Sequence, residues 1–269
     1  MNTPERAIRI PDIQAKKARG EKITMLTAYD AAFARLLDRS GVDMLLVGDT
    51  LGMVVLGYEN TLSVTMDDTV RHTQAVHRGA SRALIVADLP FLSYHTSVPD
   101  AVRNAGRLLQ AGASAVKLEG GHVMAATVER LVSIGIPVVG HLGLQPQSMH
   151  QLGGFRRQAT RPEEQERLLA DANLLQEAGA FAIVLECIPD EVAERVTAQL
   201  KIPTIGIGSG PHCDGQVLVS YDLLGLSGGV IPPFVKQYAS LAETVVDAAQ
   251  AFSNEVRSGE FPARKARKK

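Results

Sequence analysis

Cysteine is scarce in this chain. Its 269 residues include two, Cys187 and Cys213, with no CxxC spacing, which argues against a disulfide framework or zinc ribbon and for a reducing compartment. An excess of either charge is missing as well. The 28 Lys and Arg against 29 Asp and Glu leave a formal net charge of −1, with no sign of nucleic acid or an anionic membrane as partner. No apolar stretch approaches the roughly 18 residues of a membrane span. The first twenty residues mix Arg6, Arg9, Lys16, Lys17 and Arg19 with Glu5 and Asp12 and lack an apolar h-region, so they do not read as a signal peptide. The expected setting is the cytoplasm. None of the seven histidines stands in an HxH or HExxH pairing, so the residues do not suit zinc. Linkers, low-complexity tracts and sequence repeats are absent too.

What remains is a regular alternation. Strand-like segments are expected at Ile23–Ala28, Met44–Gly48, Ala83–Leu89, Ala115–Glu119, Pro137–Leu142, Ala182–Cys187, Thr204–Gly208 and Val217–Tyr221, with helical spacing between them. Helices are expected at Asp30–Arg39, Asp67–Arg78, Ser97–Gln110, His122–Ser133, Pro162–Ala178, Asp190–Leu200 and near Lys236–Val256, with the usual Ser, Thr, Asp or Pro starts and Gly stops. The seventh crossover, Pro211–Gln216, is too short for a full helix. Eight such units suit a closed (β/α)₈ TIM barrel, an α/β fold of about 250 residues. The whole chain, 1–269, is expected to be one domain. Residues from about 1 to 21 would form an N-terminal extension. The basic tail from about 263 to 269 reads as a solvated end rather than a binding arm.

Four apolar runs end in an acid: MLLVGDT at Asp49, ALIVADLP at Asp88, AVKLEGG at Glu119 and AIVLECIP at Glu186. Runs this apolar belong to a parallel sheet buried on both faces, and the carboxyl ends of its strands are where such enzymes place their chemistry. An aspartate after a strand is often only a turn or cap residue. That reading weakens when Asp49, Asp88 and Glu119 are taken together, and three oxygen ligands suit Mg²⁺. Lys117 shares a face with Glu119 and needs an anion, either a substrate carboxylate or a neighbouring acid. His141 is a site residue or a satisfied hydrogen-bonding one. Cys187 is assigned to packing. GIGIGSGP at Gly206–Pro211 reads as tight turns, because Pro211 replaces the last glycine of a dinucleotide fingerprint.

In order along the chain, TAYD at Thr27–Asp30, LLVGDTLGM at Leu45–Met53, ADLPF at Ala87–Phe91, VKLEGG at Val116–Gly121, GHLGLQPQS at Gly140–Ser148, VLECIP at Val184–Pro189 and GIGSG at Gly206–Gly210 resemble the ketopantoate hydroxymethyltransferase family. The resemblance runs from about Ile23 to Pro262. It implies a Mg²⁺-dependent barrel enzyme, commonly decameric, that moves a hydroxymethyl group from 5,10-methylenetetrahydrofolate to 3-methyl-2-oxobutanoate. It places the metal on Asp49, Asp88 and Glu119, substrate contacts on Asp49, Thr50, Asp88 and Lys117, and the proton acceptor on Glu186. Thr50 departs from the family's usual serine but keeps the hydroxyl. The apolar flanks Ile183, Val184, Leu185 and Ile188 suggest a partly desolvated glutamate and so a stronger base. The alternatives are another Mg²⁺-dependent 2-oxo acid enzyme of the phosphoenolpyruvate mutase or isocitrate lyase type, and a non-catalytic barrel that binds a small acid.

Overall fold

The computed structural model describes residues 6–228 and 231–263. The basic tail therefore lies outside the described residues except for Ala263. Eight strands close into one parallel barrel in sequence order: β1 (Ile23–Thr27), β2 (Met44–Val47), β3 (Leu84–Asp88), β4 (Ala115–Glu119), β5 (Val138–Gly143), β6 (Ala182–Glu186), β7 (Thr204–Ile207) and β8 (Gly215–Leu218). The expected (β/α)₈ architecture is present. Its crossovers include the helices Ala31–Arg39, Met66–Gly79, Val98–Gln110, Ala125–Ser133, Pro162–Glu177 and Asp190–Gln199. β7 passes to β8 without a helix, as the short seventh crossover implied.

Two boundaries moved for identifiable reasons. β8 begins at Gly215 rather than Val217. A Cβ on Gly215 would sit 2.5 Å from the Ile23 carbonyl oxygen, so only glycine lets the barrel close there on β1. The segment expected as one helix from His122 opens as a 3₁₀ turn, His122–Met124, before the helix proper.

Contacts divide the chain into two units, Met1–Val219 and Ser220–Lys269. The first is the barrel. The second carries a helical turn at Ser220–Leu223 and the helix Leu241–Ser258, which ends on Gly259 in the left-handed region at φ 79°.

The barrel interior is filled at its amino-terminal end. Ile13, Ile23, Met25, Met44, Leu46, Leu84, Val86, Ala115, Val139, Ala182, Val184, Ile205 and Val217 form one buried cluster. Ile13 comes from the N-terminal segment, which carries a helix, Ile10–Ala18. Two lysines fasten that helix beneath the sheet: Lys16 to Asp43 and Lys17 to Asp214, each at 2.7 Å. Both acids also accept backbone N–H bonds, from Thr24 and Thr204 respectively, each at 2.9 Å. Carboxylates at this end therefore close the backbone, and chemistry is left to the other end.

Candidate active site

Side chains along a strand alternate between the barrel interior and the helical layer. In β3 the inward series is Leu84, Val86, Asp88. In β4 it is Ala115, Lys117, Glu119; in β5, Val139 and His141; in β6, Ala182, Val184, Glu186. Each series starts in the apolar cluster and ends in a charge at the carboxyl end. Asp88 lies beside Lys117 and Glu119 beside His141 across the parallel ladders. Asp49 and Thr50 follow β2 after one glycine, Gly48. Gly48 lets them close in, because a Cβ there would lie 2.9 Å from Thr50 Oγ1 and 3.6 Å from Asp88 Oδ2.

The Asp49 backbone N–H donates to Asp88 Oδ2 at 3.0 Å, and Lys117 Nζ lies 2.9 Å from Asp88 Oδ1. His141 stands between two acids, with Nδ1 3.3 Å from Glu119 Oε1 and Nε2 3.1 Å from Glu186 Oε2. These distances suit ion pairs, but neither ring nitrogen makes an aligned hydrogen bond. Asp49, Asp88, Lys117, Glu119 and His141 are all buried. Glu186 keeps 18% of its side-chain exposure, whereas His141 keeps 3%, so the glutamate is the acid within reach of an incoming molecule.

Burial and crowding set the charges. Burial first, then the charges of Asp88 and Glu119, push the Asp49 carboxyl up to about 8, against the pull of Lys117. Burial opposes the Lys117 ammonium, yet Asp88, Asp49 and Glu119 hold its proton more tightly than usual. For His141, burial and Lys117 disfavour the cation, but Glu119 and Glu186 prevail and raise it to about 9.

All the residues singled out from sequence as site residues gather at this mouth. Lys117 does meet a neighbouring acid, and His141 belongs to the cluster. Cys187 follows Glu186 with φ 51°, and burial and then the Glu186 charge push its thiol up, which makes a poor nucleophile. In GIGIGSGP, Gly208 and Gly210 adopt φ of 61° and 73°, and Ser209 Oγ donates to the Leu185 carbonyl at 2.9 Å; the segment is a turn. Sequence reasoning missed three residues. Tyr29 shares a 2.8 Å hydrogen bond with Thr50 Oγ1. Gln147 and Tyr94 bridge the acids, Gln147 Nε2 donating to Asp49 Oδ2 at 2.8 Å. Their only signal was membership of, or nearness to, the blocks TAYD, GHLGLQPQS and ADLPF.

Among the described residues, no group of three or more His, Cys, Asp or Glu side chains is disposed as it stands to hold a metal ion. The donor chemistry still fits a hard cation. Asp88 Oδ1 is buried without an aligned hydrogen bond, and the like charges around Asp49 would be relieved by a positive one. Mg²⁺ binds through one or two carboxylates and keeps several waters, so a closed three-ligand cage is not required.

Comparison with known proteins agrees with this geometry. In fold, the chain is similar to phosphonopyruvate hydrolase, solved in complex with oxalate and Mg²⁺, at 13% identity and a TM-score of 0.64, over 97% of this chain and 93% of that one. It is similarly related to 2,3-dimethylmalate lyase, a phosphoenolpyruvate mutase/isocitrate lyase superfamily member, at 16% identity and a TM-score of 0.61, over 97% and 91%. At those identities the likeness speaks for the barrel alone. Sequence relatives are much nearer. The 3-methyl-2-oxobutanoate hydroxymethyltransferase of Moorella thermoacetica is 60% identical over 95% of both chains. That of Syntrophus aciditrophicus is 59% identical over 93% of this chain and 92% of its own. The ketopantoate hydroxymethyltransferase family matches residues 7–264, and with relatives this close over nearly the full length, the chain belongs to that family.

Proposed function

We propose that this chain transfers a hydroxymethyl group from 5,10-methylenetetrahydrofolate to 3-methyl-2-oxobutanoate, giving 2-dehydropantoate in the first step of pantothenate synthesis. The observation that carries the reading is the pairing of a part-exposed Glu186 with a buried cluster of three acids and one lysine at a single barrel mouth. Asp49, Asp88 and Glu119 would hold Mg²⁺, which would supply a Lewis acid for the ketone and carboxylate oxygens of the 2-oxo acid. Lys117 offers its ammonium to the substrate carboxylate, and the Thr50 hydroxyl, fixed by Tyr29, adds a hydrogen bond beside Asp49. Glu186 accepts the proton from C3, and His141, 3.1 Å away, holds that carboxylate in place. Carbon 3 then attacks the methylene carbon of the donor. The two bonds of that carbon to folate nitrogens are replaced, one by the new C–C bond and one by the oxygen of a water molecule. Tetrahydrofolate leaves carrying the C3 proton and one proton of the water. Base and metal-facing acids are separate groups on separate strands, so deprotonation and charge stabilisation do not compete for one carboxylate.

A single functional domain, a cytoplasmic setting and a homo-oligomer, decameric as the resemblance implies, complete the reading. Purified protein supplied with both substrates should form 2-dehydropantoate with Mg²⁺ and lose that activity in chelator. Light scattering should give a multiple of the 28.8 kDa chain mass. Full activity in chelator would remove the metal from the reading, and no product under either condition would overturn the reaction.

A further inference from the structure

Gln147 is buried, and every hydrogen-bonding group of its side chain is engaged. Its two amide protons go to Asp49 Oδ2 at 2.8 Å and to the Leu89 carbonyl, which only accepts, at 3.0 Å. Its Oε1 accepts from the Tyr94 hydroxyl at 2.8 Å. Turning the amide over would set Oε1 against the Leu89 carbonyl oxygen, so the orientation is fixed by its partners. Tyr94, equally buried, in turn accepts the Glu119 backbone N–H at 3.0 Å. The Gln147 backbone N–H donates to Glu119 Oε2 at 3.1 Å. The 3₁₀ turn Pro146–Ser148, which follows β5, thereby links the ends of β2, β3 and β4 and holds one oxygen of Asp49 and one of Glu119.

We infer that Gln147, oriented by Tyr94, is the positioning residue that sets the spacing and direction of the Asp49 and Glu119 carboxylates toward the cation and the 2-oxo acid. The inference rests on the metal reading above. A structural amide could cap a turn from anywhere. This one donates the shorter of its two amide hydrogen bonds to one buried acid and its own backbone N–H to a second, and neither bond is needed to close the barrel, whose strands pair without it. Partners behind a ligating group typically govern metal affinity by about 10–100-fold.

The test is Mg²⁺ titration by calorimetry on the full-length protein without substrate, beside thermal melting and steady-state kinetics, for wild type, Gln147→Met, Tyr94→Phe and the double variant. Gln147→Met should bind Mg²⁺ about 10–100-fold more weakly. Tyr94→Phe should lose less, because the amide keeps its acceptors but not its orienting donor. The double variant should bind no more weakly than Gln147→Met, since the tyrosine acts through the glutamine. Wild-type affinity in Gln147→Met would overturn the inference while leaving the metal reading intact, and so would additive losses in the double variant. Should Gln147→Met fail to fold, Tyr94→Phe decides: undiminished affinity there overturns the inference. A wild type that binds no Mg²⁺ overturns the metal reading and the inference with it.

Discussion

Replacing Lys117 with methionine would keep most of the side-chain length and remove the one ammonium among three buried acids. Its Nζ lies 2.9 Å from Asp88 Oδ1, and Asp49 and Glu119 also act on it. Removing one partner of a buried pair costs about 3–5 kcal/mol, because the remaining charge is left uncompensated. At roughly 2–4 °C per kcal/mol for a domain of this size, the melting temperature should fall by about 6–20 °C. The loss should depend on pH. Asp49 has a folded pKa of about 8, above its unfolded value, so its contribution to stability is greatest in acid and is lost as pH rises through that value. Without Lys117 the Asp49 carboxyl would climb further, so the deficit should widen between about pH 6 and 9. Mg²⁺ should recover part of it, since a ligand at a hundredfold excess over its Kd stabilises by about 2.7 kcal/mol. Calorimetric melts at both pH values, with and without Mg²⁺, make the comparison. A variant that melts within about 2 °C of wild type throughout would show that Lys117 does not hold this cluster together.

Two further outcomes follow from named contacts. Thr50→Ser keeps the oxygen that meets Tyr29 and should be nearly neutral. Thr50→Val, of matching shape, should lower kcat/KM about tenfold or more, as expected when a hydrogen bond worth roughly 1.5–3 kcal/mol to a charged group is lost; undiminished kcat/KM would make the hydroxyl dispensable. Ile13→Ala, at the opposite end of the barrel, should cost about 2–5 kcal/mol in chemical denaturation and leave kcat per folded molecule unchanged, because Ile13 packs in the apolar cluster away from the acids. A matched fall in kcat would mean that the two ends are coupled.

The strand ends were readable because two strong patterns coincide there. A continuous apolar run marks a strand buried on both faces, and a single acid at its end has no packing role. The period of two then carried Lys117 and Glu119 to one face, and the structure extends the same series to Asp88, His141 and Glu186. The N-terminal helix was not readable. IPDIQAKKA has a single fully buried residue, Ile13, and its lysines find their partners in Asp43 and Asp214, far along the chain. Gln147 and Tyr94 were hidden for a related reason. Glutamine and tyrosine are at home on any surface, and the bond from Gln147 to Asp49 spans 98 positions. Thr50, by contrast, was found from sequence, but its partner Tyr29 appears only once β1 and β2 pair.

The central claim is that Glu186 takes the C3 proton while the buried acids serve the cation. Proton exchange at C3 of 3-methyl-2-oxobutanoate in heavy water, followed by NMR with Mg²⁺ and without folate, isolates that step. Wild type should exchange the proton, and Glu186→Gln should slow exchange by about 10²–10⁴ while Mg²⁺ and 2-oxo acid binding persist. Asp88→Asn should lose metal-assisted binding and exchange together. Exchange at the wild-type rate in Glu186→Gln would contradict the account and move the base to another group, with His141, 3.1 Å from Glu186, first in line.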